Sequence, residues 1–459
     1  MNQNRHNLKV AMAPNPKIMK AIEQLGYRVT VGDVAARVGL NINLAQQGLL
    51  ALASDASGHL QVAESGEIAY LFPKNFRSIL RNKFLQLQLQ EWWEKVWRVL
   101  FYLIRISFGI VLLLSIVLIF VAIAIILITL NSSSDSNSDR RGSSNSGGGI
   151  IFIPNFWIGD IFWLFHPGYG YERHPQRHRD SSDSSQSSEM NFLETIFSFL
   201  FGDGNPNRYL EDHRWQEIGT VIRNSRGAVA AEQIAPYLDD IGEGYKREFE
   251  DYMLPVLTRF DGRPEVSPDG EIVYHFPQLQ TTAKEQDLQI VPAYLEERLW
   301  RFSQASSGQI MLSVGLGAVN IIGALVLGSL LKGGIAAQLG GLVAFVQSIY
   351  WILLGYGIGF LAIPLIRYFW IQVKNSQIKA RNQKRQEQAR ALDGADAALQ
   401  NKIAYAQQFA GQNIIRKEDL IYTSETDLIA QEIEQSAQID REWQRRLESG
   451  NGTSDRISS

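Results

Sequence analysis

The octapeptide GEIAYLFP at residues 66–73 recurs as GEIVYHFP at residues 270–277, at a constant offset of 204 residues. When the comparison is extended back to Gly58 and Gly262, 8 of 16 aligned positions are identical without a gap. Two copies so far apart in one chain indicate a duplicated domain rather than a short-period repeat. The sequence therefore predicts two related domains, each ending near one copy.

Residues 15–80 are predicted to form the first domain, a winged helix of mixed α and β structure. Residues 30–40 have the small-residue core and turn glycine of a helix-turn-helix. Alternating apolar residues on both sides of Ser65-Gly66 then predict a β-hairpin. The hairpin's Tyr70 and Phe72 are expected in the core, because alternate positions of a ribbon pack against the helices.

Residues 215–280 are predicted to form the second winged helix. A short helix is expected at residues 229–235 and a longer one at 245–257. The hairpin follows at 263–277, with Pro268-Asp269-Gly270 as its turn. Tyr274 and Phe276 are the equivalents of the core aromatics in the first copy.

The predicted reading helices lack the positive charge that DNA binding requires. Residues 41–54 contain no Lys or Arg, and in the second copy Lys246 and Arg247 are surrounded by acidic residues. Contacts to phosphate need cations on that face. Together with a net charge of only -3, this pattern favours protein docking over nucleic-acid binding.

Three nearly uncharged stretches, at residues 106–130, 311–331 and 341–370, are long enough to cross a bilayer, which needs about 20 apolar residues. The last two are predicted to form a transmembrane helical hairpin. Trp and basic residues next to these stretches are predicted to anchor the chain at the membrane interface. These anchors are Trp92, Trp93, Trp97, Arg98, Arg105, Arg367 and Lys374.

The positive-inside rule places both winged helices and the C-terminal tail on the cytoplasmic side, because basic residues precede the first span and follow the last. The chain must then cross back between residues 131 and 210. The aromatic segment 150–165 is interpreted either as this return or as an interfacial segment. The first residues lack an apolar h-region, so no cleaved secretory signal is expected.

The remaining segments are assigned by composition. Residues 131–149 are a flexible Ser/Gly linker, 166–190 a polar linker, and 191–207 an amphipathic segment. Residues 371–448 are predicted as a charged helical tail with a short break at 414–421, and 449–459 as a disordered end. The basic start of the tail can bind anionic lipid headgroups or remain a solvated face.

Glycines within the predicted hairpin are expected to pack helix against helix, namely Gly315, Gly323, Gly355 and Gly359. No charged residue lies in the middle of either helix. Because a transport pathway or proton relay usually needs one, a channel or transporter is disfavoured.

No catalytic or metal-binding constellation is recognised. His166, His174 and His178 lie among prolines and arginines, which favours a loop at the headgroup level over a metal site. Residues 202–207 resemble part of a calcium loop without its terminal Glu, so a capping turn is expected. The 459 residues include no cysteine, which excludes thiolate ligation by them. The sequence predicts a protein that is not an enzyme and binds no cofactor or metal.

Residues 192–207, 270–277 and 418–422 resemble a thylakoid-membrane family of cyanobacteria and chloroplasts. Its members have been catalogued under iron–sulfur cluster biosynthesis and associated with photosystem I assembly. The resemblance implies an assembly factor whose partners are photosystem I subunits or assembly intermediates. Without cysteine, this chain would act on such subunits by holding protein rather than by carrying a cluster.

The predicted fold is therefore an α-rich membrane protein with two winged-helix-like α+β domains, a transmembrane hairpin and a helical C-terminal tail. The predicted function is a thylakoid scaffold or assembly factor that contacts the lipid bilayer and docks partner proteins. A membrane-tethered winged-helix transcriptional regulator is the alternative.

Overall fold

The computed structural model describes residues 15–83, 85–134, 191–242, 244–285, 287–332, 334 and 338–427, with single positions between 429 and 445. The predictions for residues 135–149, 150–165, 166–190 and 449–459, and those for His166, His174 and His178, lie outside the described residues.

The described part of the chain is mostly helical, with small sheets, and it divides into two compact units. Unit 1 comes from residues 1–92, 207–298 and 378–459, and unit 2 from residues 93–206 and 299–377. Each unit is made of segments that are distant in the sequence.

The first module of unit 1 begins with three helices and three strands. Thr30 and Asp33 form a capping box that starts the second helix, and Gly39 ends it in the left-handed region at φ 71°. The strands form an antiparallel sheet in the order β1-β3-β2. The elements are α1 (Pro16–Gln24), β1 (Arg28–Thr30), α2 (Val31–Val38), α3 (Ile42–Asp55), β2 (His59–Ala63) and β3 (Ile68–Leu71).

The core of the first module confirms the predicted burial of its hairpin aromatics. Tyr70 and Phe72 pack with Ile18, Ile22 and Leu49 from the helices. After this module come α4 (Phe76–Lys83) and the long α5 (Leu85–Ser134), which contains the first predicted span.

Unit 2 contains a short apolar helix, α6 (Phe192–Phe201), within the segment predicted as amphipathic. Its buried Ile196 and Phe199 pack with Leu112 and Ile116 of α5. The turn that follows contains Gly202 and Asp203.

The second module repeats the order of the first with one difference in its long helix. The predicted helix at 245–257 is wrong: Glu250 lies in the left-handed region at φ 53°, and Pro255 occupies the first turn of a separate helix. Proline is tolerated there but not in a helix interior. The helices are α7 (Leu210–Asn224), α8 (Ala231–Ile234), α9 (Tyr245–Glu248), α10 (Leu254–Phe260) and α11 (Pro277–Gln280), and the strands are β4 (Ala228–Ala230), β5 (Arg263–Val266), β6 (Ile272–His275) and β7 (Thr281–Thr282).

The two hairpins correspond position by position at the offset of 204 residues. The Ala63 N–H donates to Glu67 O over 2.9 Å, and the Ser267 N–H donates to Glu271 O over 2.8 Å. The second sheet has the order β4-β6-β5, and its Tyr274 and Phe276 are buried as predicted.

Two long helices follow, α12 (Ser307–Leu331) and α13 (Gly341–Asp393). Ser306 and Gln309 form the capping box that starts α12. By length and composition, three helices of the described chain could cross a membrane, with candidate spans at Trp92–Asn131, Ser307–Leu331 and Gly341–Asp393.

Strands interrupt the segment that was predicted as a helical tail. The helix α14 (Ala397–Ala406) is followed by β8 (Asn413–Ile414) and β9 (Leu420–Thr423). Strand β8 pairs in parallel with β7, and β9 pairs with β2 of the first module. Sequence-based reasoning missed the pairing of β9 with β2 because these two strands lie more than 350 residues apart in the sequence.

Candidate functional site

Helix α3 presents an exposed face without positive charge. Leu44 and Leu50 of this face are 53% and 52% exposed, and the exposed Asn43, Gln46 and Gln47 surround them. No Lys or Arg occurs in α3. We call these five residues the α3 face. Such a surface offers apolar contact and amide hydrogen bonds, but no cation for phosphate.

The opposite side of α3 is anchored in two cores. Leu49 and Leu52 belong to the core of the first module, whereas Ile42 and Ala45 pack in a core that includes Trp215 of the second module. The modules therefore share buried apolar surface, which holds the α3 face rigidly.

A buried carboxylate, that of Asp33, joins the two modules. Besides capping α2, Asp33 accepts hydrogen bonds from the Thr282 hydroxyl (2.9 Å) and the Ala283 N–H (3.0 Å). It also forms an ion pair with Arg223, in which the carboxylate side chain is 2% exposed. Breaking a buried ion pair costs far more than breaking an exposed one, so this contact fixes the modules together.

Two further contacts join the start of α3 to α10 of the second module. The Asn41 side chain donates to Thr258 O of α10 over 2.9 Å. Arg259 donates to Gly39 O over 2.6 Å, and its guanidinium lies 4.0 Å from the centre of the Trp215 ring. Arg259 is thus engaged inside unit 1 and does not supply a free cation next to α3.

Two arginines at the basic start of the tail form ion pairs within unit 1. Arg381 binds Glu297 with two hydrogen bonds of 2.7 Å. Arg385, 1% exposed, binds Asp239 and Glu297. Burial favours the protonated form of Glu297, but the bonds and charges of the two arginines hold its pKa below the usual range. These two arginines are engaged with protein rather than with lipid headgroups.

Helix α14 is held on the second module by a buried lysine. Lys402 donates to Glu232 over 2.9 Å and to Glu250 over 2.5 Å. The Tyr274 hydroxyl donates to the same Glu250 over 2.8 Å. Burial, together with the bond to Glu250, raises the pKa of Tyr274, so its hydroxyl keeps its proton and remains a donor.

Glu217 of α7 is a half-buried carboxyl with an altered pKa. Burial raises its pKa to about 7, and the charge of Arg385 opposes this rise. Its Oε2 is buried, with no hydrogen-bond partner among the described residues. The protonation of Glu217 therefore changes near neutral pH.

The predicted interface anchors occupy two environments. Trp92, Trp93 and Trp97 are more than half exposed, and the rings of Trp93 and Trp97 stack at 6.5 Å. Arg98 is exposed, and Lys374 lies 5.6 Å from the centre of the Trp370 ring. Their anchoring role stays a prediction.

The other two predicted anchors bind protein groups near the α6 turn. Arg105 forms an ion pair of 2.9 Å with Asp203. Arg367 donates to Ser198 O over 3.2 Å and also to Phe302 O. Sequence-based reasoning could not find this cluster, because its members come from four separated segments of unit 2.

The predicted packing glycines differ in how closely their neighbours approach. A Cβ atom at Gly323 would lie 2.9 Å from Ile119, whereas at Gly315 or Gly355 it would meet nothing within 4 Å. At Gly359 the nearest contact, to Ile363 of the same helix, would be 3.9 Å. Two other glycines of α12 have the closest neighbours. A Cβ atom at Gly317 would lie 2.6 Å from Phe360, and one at Gly328 would lie 2.0 Å from Tyr350.

A polar contact accompanies this helix packing. Ser115 of α5 donates to Asn320 of α12 over 3.1 Å, and both side chains are buried. Among the described residues, no group of three His, Asp or Glu is arranged to hold a metal ion.

Comparison with known proteins identifies a relative of nearly the same extent. No family model matches the chain, and no solved structure matches it. "Uncharacterized protein At5g03900, chloroplastic" of Arabidopsis thaliana is 39% identical over 445 residues, which cover 94% of this chain and 82% of that protein. Similarity of this extent shows common ancestry along almost the whole chain. The chain therefore belongs to the family of this Arabidopsis protein.

Proposed function

We propose that the chain is a non-enzymatic membrane scaffold that docks partner proteins through the α3 face. The observation that carries this proposal is that α3 exposes apolar side chains and carries no positive charge. Leu44 and Leu50 expose apolar surface on a helix that contains no Lys or Arg. An apolar patch on a rigid support is typical of protein interaction sites.

We interpret both modules as winged helices. The order of helices and strands supports this interpretation. In each module a hairpin of two strands follows the helices, and a third strand, which directly precedes α2 or α8 in the chain, pairs with that hairpin in an antiparallel sheet. In DNA-binding members of this fold the equivalent of α3 reads bases. Because α3 contains no Lys or Arg, we infer a protein partner for it instead.

The membrane location is supported by the three apolar helices and by the relative, whose name describes it as chloroplastic. We propose a thylakoid location, with α12 and α13 forming a transmembrane hairpin. Both modules and the tail would then face the cytoplasm or stroma, where soluble segments of nascent membrane proteins are accessible.

We propose photosystem I subunits or their assembly intermediates as the partners. The supporting observation is the resemblance carried by residues 192–207, 270–277 and 418–422. Because the chain contains no cysteine, it would support cluster-bearing subunits by holding protein during their assembly.

Affinity purification of the tagged full chain from detergent-solubilised thylakoids tests this proposal. We expect photosystem I subunits to be recovered with the wild-type chain and lost with the double variant Leu44→Glu, Leu50→Glu. Leu288→Glu is the matched control, because Leu288 is 80% exposed outside the α3 face. Recovery of no photosystem I subunit with the wild-type chain would contradict the assembly role.

The same variants separate protein docking from the alternative, a membrane-tethered transcriptional regulator. A regulator would shift duplex DNA in an electrophoretic assay and would recover chromatin. We expect neither, since phosphate contacts require cations. A salt-dependent shift that is lost with the α3 variant would favour the regulator.

A further inference from the structure

The outer edge of β2 in the first module is covered by a strand from the distant C-terminal part of the chain. The Ser424 N–H donates to Leu60 O over 3.0 Å, and the Glu64 N–H donates to Asp419 O over 2.9 Å. The Leu60 N–H donates to the Ser424 hydroxyl over 3.0 Å. Backbone donors at positions 60 and 64 therefore point outward and receive a strand.

The equivalent edge of the second module lacks these donors. At the offset of 204 residues, Leu60 corresponds to Pro264 and Glu64 to Pro268. The registers agree, since Leu60 lies opposite Tyr70 and Pro264 opposite Tyr274. Proline has no N–H, and at an edge it prevents the addition of a strand.

A side chain covers one of the remaining acceptors on that second edge. The Tyr405 hydroxyl of α14 donates to Val266 O over 3.1 Å. The duplicated sheets thus differ in one property: the first edge accepts a strand, whereas the second is closed by two prolines and a tyrosine.

Strand β9, which covers the outer edge of β2, packs closely through one side chain and leaves its other large side chains partly exposed. Leu420 packs against a small cluster formed by Ala63, Ala69, Ala283 and Ile415, which we call the alanine pocket. Ile421 and Tyr422 remain 48% and 38% exposed. The pairing also shifts register between Val62 and Ala63. A strand with so little burial and an irregular ladder leaves room for a better ligand.

We propose that the outer edge of β2 is a peptide-binding edge that accepts an extended segment of a partner protein, with β9 as its built-in occupant. Addition of a strand to a sheet edge is an established mode of peptide recognition, in which backbone bonds supply affinity and alternate side chains supply specificity. The pocket requires a branched apolar residue at the Leu420 position. A hydroxyl residue four positions later would reproduce the Ser424 contact with Leu60 N.

A partner protein fits this edge better than a second copy of the chain does. β9 is tethered to its own edge, and tethering gives an effective concentration of roughly millimolar. An identical β9 from a second copy has the same intrinsic affinity and cannot compete at ordinary concentrations. A partner segment that pairs without the register shift can displace β9. This surface is separate from the α3 face, so either one can fail in a test while the other stands.

Peptide binding to the full chain in detergent or nanodiscs tests the edge. The probe is a fluorescent peptide of residues 418–426, EDLIYTSET, followed by fluorescence anisotropy. Tyr422→Pro disrupts β9 in the chain, so we expect the peptide to bind this variant at least about tenfold more tightly than the wild type. Adding Glu64→Pro removes an edge donor and should abolish binding. A peptide carrying Leu420→Asp should not bind, because the alanine pocket excludes a carboxylate.

A disulfide bond that holds β9 on β2 provides a second test of the edge, and this test does not depend on the folding of the proline variants. Gln61 lies opposite Thr423, and the chain has no other cysteine, so the double variant Gln61→Cys, Thr423→Cys can tether β9. We expect the oxidised form to bind no peptide at any concentration, and the reduced form to bind it only when the peptide reaches about the millimolar effective concentration of the tethered β9. Equal binding by both forms at that peptide concentration would overturn the proposal, as would failure of a folded Tyr422→Pro variant to bind. A wild-type dimer that Glu64→Pro dissociates would assign the edge to a second copy instead.

Discussion

At the residue scale, the Asp33 carboxylate supports the contact between the modules. It receives hydrogen bonds from Thr30, Thr282 and Ala283 and an ion pair from Arg223. Asp33→Ala leaves the Arg223 guanidinium nearly buried without its partner, so we expect the free energy of unfolding of unit 1 to fall by about 3–5 kcal/mol. Tryptophan fluorescence in detergent should show a melting temperature lower by several degrees.

Asp269→Ala is the matched control for this prediction. Asp269 is exposed in the turn of the second hairpin, and substitutions at such positions change stability by less than about 0.5 kcal/mol. Equal melting temperatures for the two variants would contradict the role given to Asp33.

Glu217 gives unit 1 a pH-dependent stability. Its pKa is raised from 4.5 to about 7, so the folded state binds more protons than the unfolded state between these values. The stabilisation is complete below pH 4.5 and is lost as the pH rises through about 7. We expect the free energy of unfolding to fall by about 1 kcal/mol between about pH 5 and 8, because a half-exposed carboxyl is screened by water.

Glu217→Gln keeps the shape of the side chain and removes its titration. The variant should show a flatter dependence of melting temperature on pH over the same range, measured in the same detergent. A wild-type protein whose stability rises from pH 5 to pH 8, with an unchanged slope in the variant, would refute the assignment.

Local residue patterns were readable from the sequence, whereas their distant partners were not. Tyr70 and Phe72 alternate as a half-buried strand requires, whereas the capping box of Thr30 and Asp33 was found only in the structure. Nothing near Asp33 in the sequence indicates Arg223 or Thr282, because those contacts depend on how two modules dock. The absence of Lys and Arg on α3 could be read directly, since it depends on composition alone.

At the element scale, α14 is fixed to the second module through Lys402. Lys402→Ala leaves Glu250 buried with only Tyr274 as a donor, and removing one partner of a buried pair costs about 3–5 kcal/mol. We expect α14 to detach locally, and limited proteolysis to cleave within residues 397–427 at least about tenfold faster.

Asn401→Ala is the neighbouring control for α14. Asn401 is exposed, and alanine has the higher helix propensity, so its cleavage rate should stay at the wild-type value or fall. If Lys402→Ala were cleaved no faster than this control, the buried lysine would not be what holds the helix.

Elements whose pattern repeats over many residues were predicted well, and short ones that depend on tertiary pairing were not. Periodicity and composition identified the region of α6 and the apolar helices. Strand β9 has only four residues, LIYT, which are compatible with helix or strand until β2 provides a partner. The break at Glu250 lies at a residue with φ 53° that has no sequence signal of its own, and in the folded chain its carboxylate accepts a hydrogen bond from the distant Lys402.

At the scale of the whole molecule, the shared core of unit 1 constrains the membrane topology of the chain. Residues of both modules pack in one core, so both modules must lie on the same side of any membrane. If α5 spans, the chain returns to that side before residue 207. Helix α6 has 10 residues and reaches only about 15 Å, half of the roughly 30 Å hydrocarbon core, so it cannot supply the return. The predicted segment 150–165 is the remaining aromatic stretch of the sequence suited to it.

Single-cysteine labelling in sealed vesicles tests this topology without interference, because the chain has no native cysteine. Ser65→Cys and Asp269→Cys place a thiol in the exposed turn of each hairpin, and Ser133→Cys places one at the end of α5. We expect an impermeant maleimide to label the two hairpin sites from one side and Ser133→Cys only from the other. Permeabilised vesicles, in which all three sites should react, control for accessibility. Labelling of all three from the same side would mean that α5 does not cross, and the shared core would then require no return between residues 135 and 206.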